Sequence, residues 1–399
     1  MQHSWIVPVA VVLCVLTGSP ETALAGGGKA GASLSPIVMD VKSDLVDCGV
    51  SERNARGDGE HDDTEALQAA IDFAADRDGG TVLLPNGTYS IRSVTLRDGV
   101  TLTGQDPHKT LLRGRDAAYG MITIRGGTLM NCTVYGTPSP DVSGENWKVG
   151  SDGAGKGSTA KPVHLVFVSG HEEGCPALSP VINNVHLREA RYDCLYIRGT
   201  KGLRVLDSTF DRAGRNVVSM VGSDEDFLFA NCRIGALWGL YHFDIEPADG
   251  RYVRGGRFVN CLFDGRSAGQ MGTGTWGSFV CFTGHEELKS RDIAVIGCCF
   301  RRIYVRVNRV FPGVSFLHNT FDVPGAAFVR VRTDEIGEFR DAVVRGNRFL
   351  QNGQPARRIV QGVAFTGNSR LADNVPGMPV KTLPSEDGRN GSRENTDSH

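Results

Sequence analysis

No apolar run in this 399-residue chain is long enough to span a bilayer. The longest, residues 5–16, falls short of the ~20 residues that a helical span needs. Charge of one sign is not in excess: 43 basic and 45 acidic residues leave a formal net charge of -2. That balance excludes a surface built broadly for nucleic acid. The cysteines lack zinc-finger spacing, and neither a phosphate loop nor a dinucleotide fingerprint occurs. What is abundant is glycine. Its 51 copies approach double the usual share of ~7% and suit repeated tight turns rather than long helices. With 40% hydrophobic and 22% charged residues, the chain can build a large core, so a wholly disordered or collagen-like protein is excluded.

The two ends read differently from the middle. Residues 1–25 have the form of a secretory signal peptide: an apolar run, then Ala23-Leu24-Ala25 as a small-x-small cleavage site. Export to the periplasm or the exterior follows as the expected localisation. Residues 26–40 read as a flexible linker, 41–375 as the folded domain and 376–399 as a polar, disordered tail. Ten cysteines become nine after cleavage, which leaves at least one thiol unpaired. Cys132, Cys232, Cys261 and Cys298 recur at one place in a repeat and are expected as small buried core residues. Cys175 and Cys194 are the pair to examine for a disulfide.

The block 41–104 carries one helix, expected over residues 63–75. Asp62, Asp63 and Thr64 offer N-cap oxygens, and Gly79-Gly80 stops the helix. Its apolar stripe is Ala66, Leu67, Ala70, Ile71, Ala74 and Ala75. Short strands follow at 81–84, 88–91 and 100–102. Beyond them a four-residue pattern recurs, a polar or glycine residue first and an apolar residue fourth. It reads Asn131 to Val134, Asn184 to Leu187, Asp207 to Phe210, Asn231 to Ile234 and Asn260 to Phe263. Gly297 to Phe300, His318 to Phe321 and Gly346 to Phe349 continue it. From Leu187 onward the apolar fourth places are 21 to 37 residues apart. That period predicts a solenoid with one coil per repeat, in which inward side chains stack in ladders. Residues 135–180 interrupt the repeat, with a Gly-, Ser- and Pro-rich loop over 136–157. A second insertion, 265–277, carries Trp276.

The N-terminal block also carries an ordered series of motifs. They are Asp47-Cys48-Gly49, Gly57-Asp58-Gly59, Asp62-Asp63-Thr64, Leu67-Gln68-Ala69-Ala70-Ile71, Gly79-Gly80-Thr81-Val82 and Leu84-Pro85-Asn86-Gly87-Thr88-Tyr89. This series resembles the start of right-handed parallel β-helix proteins of the pectate lyase superfamily. That group includes polygalacturonase-like glycosidases, polysaccharide lyases, epimerase-like domains and phage tailspikes. The resemblance implies an all-β, single-stranded right-handed parallel β-helix with a short N-terminal capping helix. Scaffold alone does not fix the reaction. The Gly-His-Gly and Arg-Ile-Lys motifs of polygalacturonase-like hydrolases are missing, and Asn-Thr-Asp and Asp-Asp occur only at residues 395–397, in the tail, and 62–63, in the N-terminal module. Alginate epimerases carry Asp-Pro-His-Glu; Asp106-Pro107-His108-Lys109 lacks the Glu and lies in the N-terminal module, so it reads as coincidence.

The best candidate for chemistry is Leu240-Tyr241-His242-Phe243-Asp244-Ile245-Glu246-Pro247. Strand alternation sends Phe243 and Ile245 inward, and His242, Asp244 and Glu246 outward. Carboxylates at i and i+2 have Cα atoms ~7 Å apart. Such a pair suits acid and base in glycoside hydrolysis, where inverting enzymes separate carboxyls by ~6.5–9.5 Å. It equally suits Ca²⁺, which takes several carboxylate oxygens. If Val218 stacks under Phe243, Ser219 lies near Asp244, and Tyr196 near Ser219. Asp193, Tyr196, Arg198, Arg215, Ser219, His242, Asp244 and Glu246 would then line a groove for a polymer. Arg215 suits a uronate carboxylate, or a lyase base if its charge were suppressed, which its high pKa opposes.

The acidic turn Ser223-Asp224-Glu225-Asp226 lacks the spacing of an established calcium loop. In the C-terminal coils, residues 285–360, basic residues outnumber acidic ones. Arg301, Arg302, Arg306, Arg309, Arg330 and Arg332 lead this group, a face for an anionic polysaccharide or a solvated surface. The expectation is a secreted carbohydrate-active enzyme that cleaves an acidic polysaccharide by hydrolysis or β-elimination. The alternative is a non-catalytic polysaccharide-binding or adhesive β-helix. The oligomeric state stays between monomer and homotrimer.

Overall fold

A computed structural model of the chain describes residues 37–115, 120–136, 164–170, 175–235, 241–248, 250–265, 279–284, 288–323, 329–330, 337–357 and 359–375. The expected signal peptide, the tail, Arg332, Trp276 and most of both insertions lie outside the described residues. The rest winds into a right-handed parallel β-helix, built mainly from three ladders of short strands, with a shorter fourth one through Ala177–Leu178, Thr200–Lys201, Asp224–Glu225 and Val253–Arg254. One ladder runs from Ile37–Asp40 through Gly80–Leu84, Arg204–Leu206 and Phe316 in Ser315–Leu317 to Arg370–Ala372. A second includes Gly87–Ile91, Thr209–Ala213, Leu262–Asp264, Cys299–Arg301 and Arg348–Gln351. The long strands Thr128–Tyr135 and Val181–Ala190 belong to both, which joins them in one sheet. The third passes through Val94–Leu96, Gly120–Ile124, His164–Ser169, Leu195–Arg198, Asn216–Met220, Tyr241–Ile245, Phe279–Thr283 and Tyr304–Pro312.

The recurring four-residue pattern is the corner between the first two ladders. Its first place has positive φ in Asn131, Asn184, Asp207, Asn231, Asn260, Gly297, His318 and Gly346. Asn and Asp tolerate that left-handed backbone, and Gly adopts it freely. The next residue turns into the corner. Cys132, Cys232, Cys261 and Cys298 fill it as buried thiols, as expected. Toward the C-terminal end Asn319 and Asn347 take the place. The Asn347 Oδ1 accepts the Asn319 backbone N at 2.9 Å and its Nδ2 at 3.0 Å. Asn374 Oδ1 does the same for Asn347, at 3.0 Å each. The coil interior is apolar and partly aromatic. Phe263, Phe300, Phe321 and Phe349 stack through successive coils with ring centroids 4.6, 4.5 and 5.3 Å apart. Each aromatic pair adds about 0.5–1.5 kcal/mol beyond area burial.

The helix forms over Thr64–Ala75 and buries Ala66, Leu67, Ala70, Ile71 and Ala74, all on the expected stripe. Its N-cap, Asp63, makes no side-chain cap bond; Asp63 instead accepts the backbone N–H groups of Arg56 and Gly57. Asp62 takes the Thr64 N–H at 3.1 Å.

Four expectations need correction. Residues 37–40 are not linker: Ile37–Asp40 is the first rung, paired with Gly80–Leu84. A short helix, Asp44–Asp47, precedes the expected one. The repeat does not lapse throughout 135–180, because His164–Ser169 supplies a full rung of the third ladder. Cys175 and Cys194 are both free thiols, one exposed and one buried. The Cys194 thiol points to the Leu187 and Asp211 carbonyls.

Candidate functional site

The third ladder sets the site. Leu195 pairs with Val218 and Val218 with Phe243, so the register expected from the sequence is the one formed. Phe243 is locked inward by Phe229 and Phe258, at 5.1 and 4.9 Å between ring centroids. Its neighbour Asp244 therefore faces out. A single outward column results: Thr123, Phe167, Tyr196, Ser219, Asp244, Cys281 and Arg306, one residue per coil. Neighbouring strands lie ~4.8 Å apart, so the column is a straight track along the axis.

The column is not a simple solvated stripe. Asp193, Ser219 and Asn216 are buried, and Asp244 is only 4% exposed. Asp193 is a hub. It accepts the Arg215 Nε at 2.8 Å and a second bond from the Arg215 Nη2. It also accepts the Asn216 backbone N at 3.0 Å and the Ser219 hydroxyl at 3.1 Å. His164 Nδ1 lies 3.4 Å from its other side. Burial would raise the Asp193 pKa, but the Arg215 charge, His164 and these bonds outweigh it. The carboxyl is held well below the usual range. Burial likewise works against the Arg215 charge, yet Asp193 more than offsets it and pushes the guanidinium pKa up. Arg215 also lies 4.5 Å over the Tyr192 ring and 5.6 Å over Tyr196. It cannot serve as a base, and its fork is engaged inside the protein.

Asn216 carries this order to Asp244. Its Nδ2 donates to Ser219 Oγ and to Asp244 Oδ2, each at 3.0 Å, and its Oδ1 accepts the Tyr241 backbone N at 3.0 Å. Asp244 Oδ1 is buried and has no hydrogen-bond partner. Burial first, then the Glu246 charge, raise the Asp244 pKa well above the ordinary carboxyl value; Arg215 opposes them. Burial and the Glu246 charge thus favour its protonated form. Glu246 is exposed at the strand end. One coil and two coils on from Asp244 come Cys281 and Arg306. Arg306 donates to the Tyr241 hydroxyl at 3.1 Å and to Asn308 Oδ1 at 2.9 Å. Burial raises the Tyr241 phenol pKa, so it too keeps its proton.

The structure brings together Asp193, Tyr196, Arg215, Ser219, Asp244 and Glu246. His242, expected on the outer face beside Asp244, is buried as well, 2% exposed, and both ring nitrogens lack hydrogen-bond partners. Its charged neighbour is Asp264, at the end of a second-ladder strand. Burial lowers its pKa to about 4, with Asp264 opposing. Arg198 is exposed at the end of its strand and joins no part of the cluster. The sequence reasoning passed over Asn216, Tyr241 and His164. Asn216 and Tyr241 sit inside motifs already singled out, and the in-register stacking was the available signal. Among the described residues, no cluster of three or more His, Cys, Asp and Glu could hold a metal ion. No helix among the described residues is long and apolar enough to cross a membrane.

Comparison with known proteins places this geometry in context. Residues 48–149 match the family described as rhamnogalacturonase A/epimerase, pectate lyase-like. Mannuronan C5-epimerase AlgE4 of Azotobacter vinelandii is 31% identical over 215 residues, 46% of this chain and 38% of the relative. Its A-module has a similar structure, with TM-score 0.53 and 19% identity over 80% of this chain and 92% of the module. Plasmin and fibronectin-binding protein A of Streptococcus pneumoniae is 28% identical over 179 residues, 43% of this chain and 25% of the relative. A crystal structure of this surface adhesin, PfbA, gives TM-score 0.56 at 16% identity, covering 85% of this chain and 84% of that one. The tailspike gp49 of Acinetobacter baumannii bacteriophage Fri1, a capsular polysaccharide depolymerase, gives TM-score 0.54 at 17% identity, covering 84% and 59%. The chain thus spans well under half the length of these two curated relatives, 38% and 25%. At these identities the structural likenesses speak for the fold. The chain is a right-handed parallel β-helix protein whose residues 48–149 are similar to the rhamnogalacturonase A/epimerase, pectate lyase-like family.

Proposed function

We propose that this chain is an exported enzyme acting on an acidic polysaccharide, by proton transfer at a uronate unit held beside Asp244. The observation that carries the proposal is Asp244 itself: a buried carboxyl whose pKa is pushed up, with one oxygen fixed by Asn216 and the other without a partner. A carboxyl whose pKa is raised by burial is suited to donating a proton. Glu246, exposed two residues along, supplies a carboxylate as base. The buried Arg306, bonded to Tyr241 and Asn308, carries a positive charge two coils beyond Asp244 that favours an anionic substrate. Glu246 takes the proton α to the uronate carboxylate, and the electron pair moves into the carboxylate. Two outcomes balance. In β-elimination the pair returns, the C4–O4 bond breaks and Asp244 protonates the leaving oxygen. In epimerisation Asp244 returns a proton to the opposite face, and no bond of the polymer backbone breaks. The similarity to a mannuronan epimerase supports a uronate substrate.

A second reading is a binding or adhesive β-helix, favoured by the similarity to a plasmin- and fibronectin-binding surface protein. Incubation of residues 26–399 with polyuronates and neutral polysaccharides in heavy water distinguishes these. Deuterium at the α-carbon without new chain ends means epimerisation. New reducing ends with ultraviolet absorbance from unsaturated ends mean elimination. New reducing ends without that absorbance mean hydrolysis, with Asp244 as acid and Glu246 as base, and overturn the α-proton mechanism. None of these signals on the whole panel leaves the adhesive reading.

A further inference from the structure

The column that holds Asp244 is largely closed over. Ser219, Asp244, Cys281 and Arg306 are each at most 6% exposed, so they offer a polymer little surface. The neighbouring column is open. Strand pairing runs one residue past Ile197, Met220 and Ile245: the Val221 N–H donates to the Ile197 carbonyl, and the Glu246 N–H to the Met220 carbonyl. Arg198, Val221 and Glu246 therefore stand side by side on successive coils. Thr283, paired with Asn308, continues the column. Arg198 and Glu246 are exposed, and Val221 between them is half-buried. Two coils, about 10 Å, separate Arg198 from Glu246.

Arg198 differs from the other arginines of the site. Arg215 forks onto Asp193, and Arg306 is bonded to Tyr241 and Asn308. Among the described residues, no hydrogen bond, ion pair or ring contact engages the Arg198 side chain. Its whole donor fork is open to a ligand. One coil advances the column by ~4.8 Å, close to the length of one pyranose unit in an extended chain. A sugar two units from the reacting one thus lies level with Arg198.

We propose that Arg198 is a subsite for the carboxylate of that sugar, and that it selects a polyuronate over a neutral polysaccharide. This rests on the reading of Asp244 and Glu246 as the reacting position on a polysaccharide. A guanidinium presents parallel N–H donors to both oxygens of a carboxylate, so recognition is geometric as well as electrostatic. The site calls for such a group. The Glu246 carboxylate repels an anionic polymer, and neither Arg215 nor Arg306 has a fork free to offset it. Val221 carries no charge, so the fork of Arg198 meets no competing partner on the coil between.

The test is native gel electrophoresis of the full chain through gels containing polymannuronate, polygalacturonate or the carboxyl-reduced, neutral form of each. Mobility is taken relative to a polymer-free gel, so that a changed protein charge cancels. The expected result is retardation of the unsubstituted chain by a polyuronate and not by its reduced form. Arg198→Gln weakens apparent binding of that polyuronate about 3- to 10-fold. Arg198→Lys, which keeps the charge but not the fork, loses only about twofold. Arg257→Gln removes an exposed arginine of the first ladder and stays within about twofold of the unsubstituted chain. Arg198→Met replaces the Gln variant if circular dichroism shows that one to be unfolded. An uncharged Arg198 variant retarded as strongly as the original chain overturns the subsite while polyuronate binding stands. So does an equal loss in Arg257→Gln, which would assign the effect to overall charge. Equal retardation by a polyuronate and its reduced form overturns the carboxylate selection. If no polyuronate gel retards the unsubstituted chain, the acidic-polysaccharide reading itself fails, and this inference with it.

Discussion

His242 gives the sharpest test of how the electrostatics were built. Its ring is buried, its two nitrogens have no hydrogen-bond partners, and its pKa falls to about 4 from 6.5. Asp264, which Arg233 Nη2 approaches at 3.5 Å, is the charged group that faces it. The sign follows from proton binding. Between pH 6.5 and 4 the unfolded chain holds a proton on this ring and the folded chain does not. Stability is therefore lost as pH falls through that window, and the loss is complete below it. At pH 5 the two pKa values correspond to about 2 kcal/mol, against almost nothing at pH 7.5. His242→Leu removes the titration and leaves no unsatisfied nitrogen, so this cost should vanish. Urea unfolding of both chains at pH 7.5 and pH 5.0 measures it, and other titrating groups cancel in the difference between the chains. The substituted chain should gain about 2 kcal/mol relative to the original on going to pH 5. An equal pH dependence in both chains would refute the buried-neutral assignment and return His242 to the surface group expected from alternation.

Asp193→Ala should destabilise by about 3–5 kcal/mol, because it strands the Arg215 guanidinium, whose side chain is 18% exposed. Chemical denaturation reads this, and a companion Arg215→Leu change should restore part of the loss. Asp244→Asn should lower turnover on a responsive polysaccharide by about 10²–10⁴-fold. It should also stabilise the protein at pH 8, and the gain should shrink toward pH 4, because a raised carboxyl pKa makes stability fall as pH rises. Melting curves across that range check the sign. Asn347→Leu leaves the Asn319 backbone N–H and amide without their acceptor and should cost about 2–4 kcal/mol. Faster amide exchange in the last coils would locate that loss.

The repeat made much of this protein legible. Stacking Val218 under Phe243 followed from coil length, and it brought Tyr196, Ser219 and Asp244 into line. The corner asparagines and cysteines were legible because a left-handed corner followed by a small inward residue is a local requirement, repeated once per coil. The signal weakened where depth mattered. Alternation assigns a side chain to a face, but it does not say how far the next coil covers it. Asp193 and Arg215 are 22 residues apart, and their pairing turned an expected groove-lining arginine into an internal brace. His242 is buried, with Asp264 of another ladder as its charged neighbour, a depth that alternation along its own strand does not reveal. The sequence by itself thus determined the solenoid, its register and the column on which Asp244 stands, because these depend on a local pattern repeated at a fixed period. The tertiary structure alone decided which polar groups of that column are buried or paired. Burial and charge there depend on neighbours contributed by other coils and other ladders.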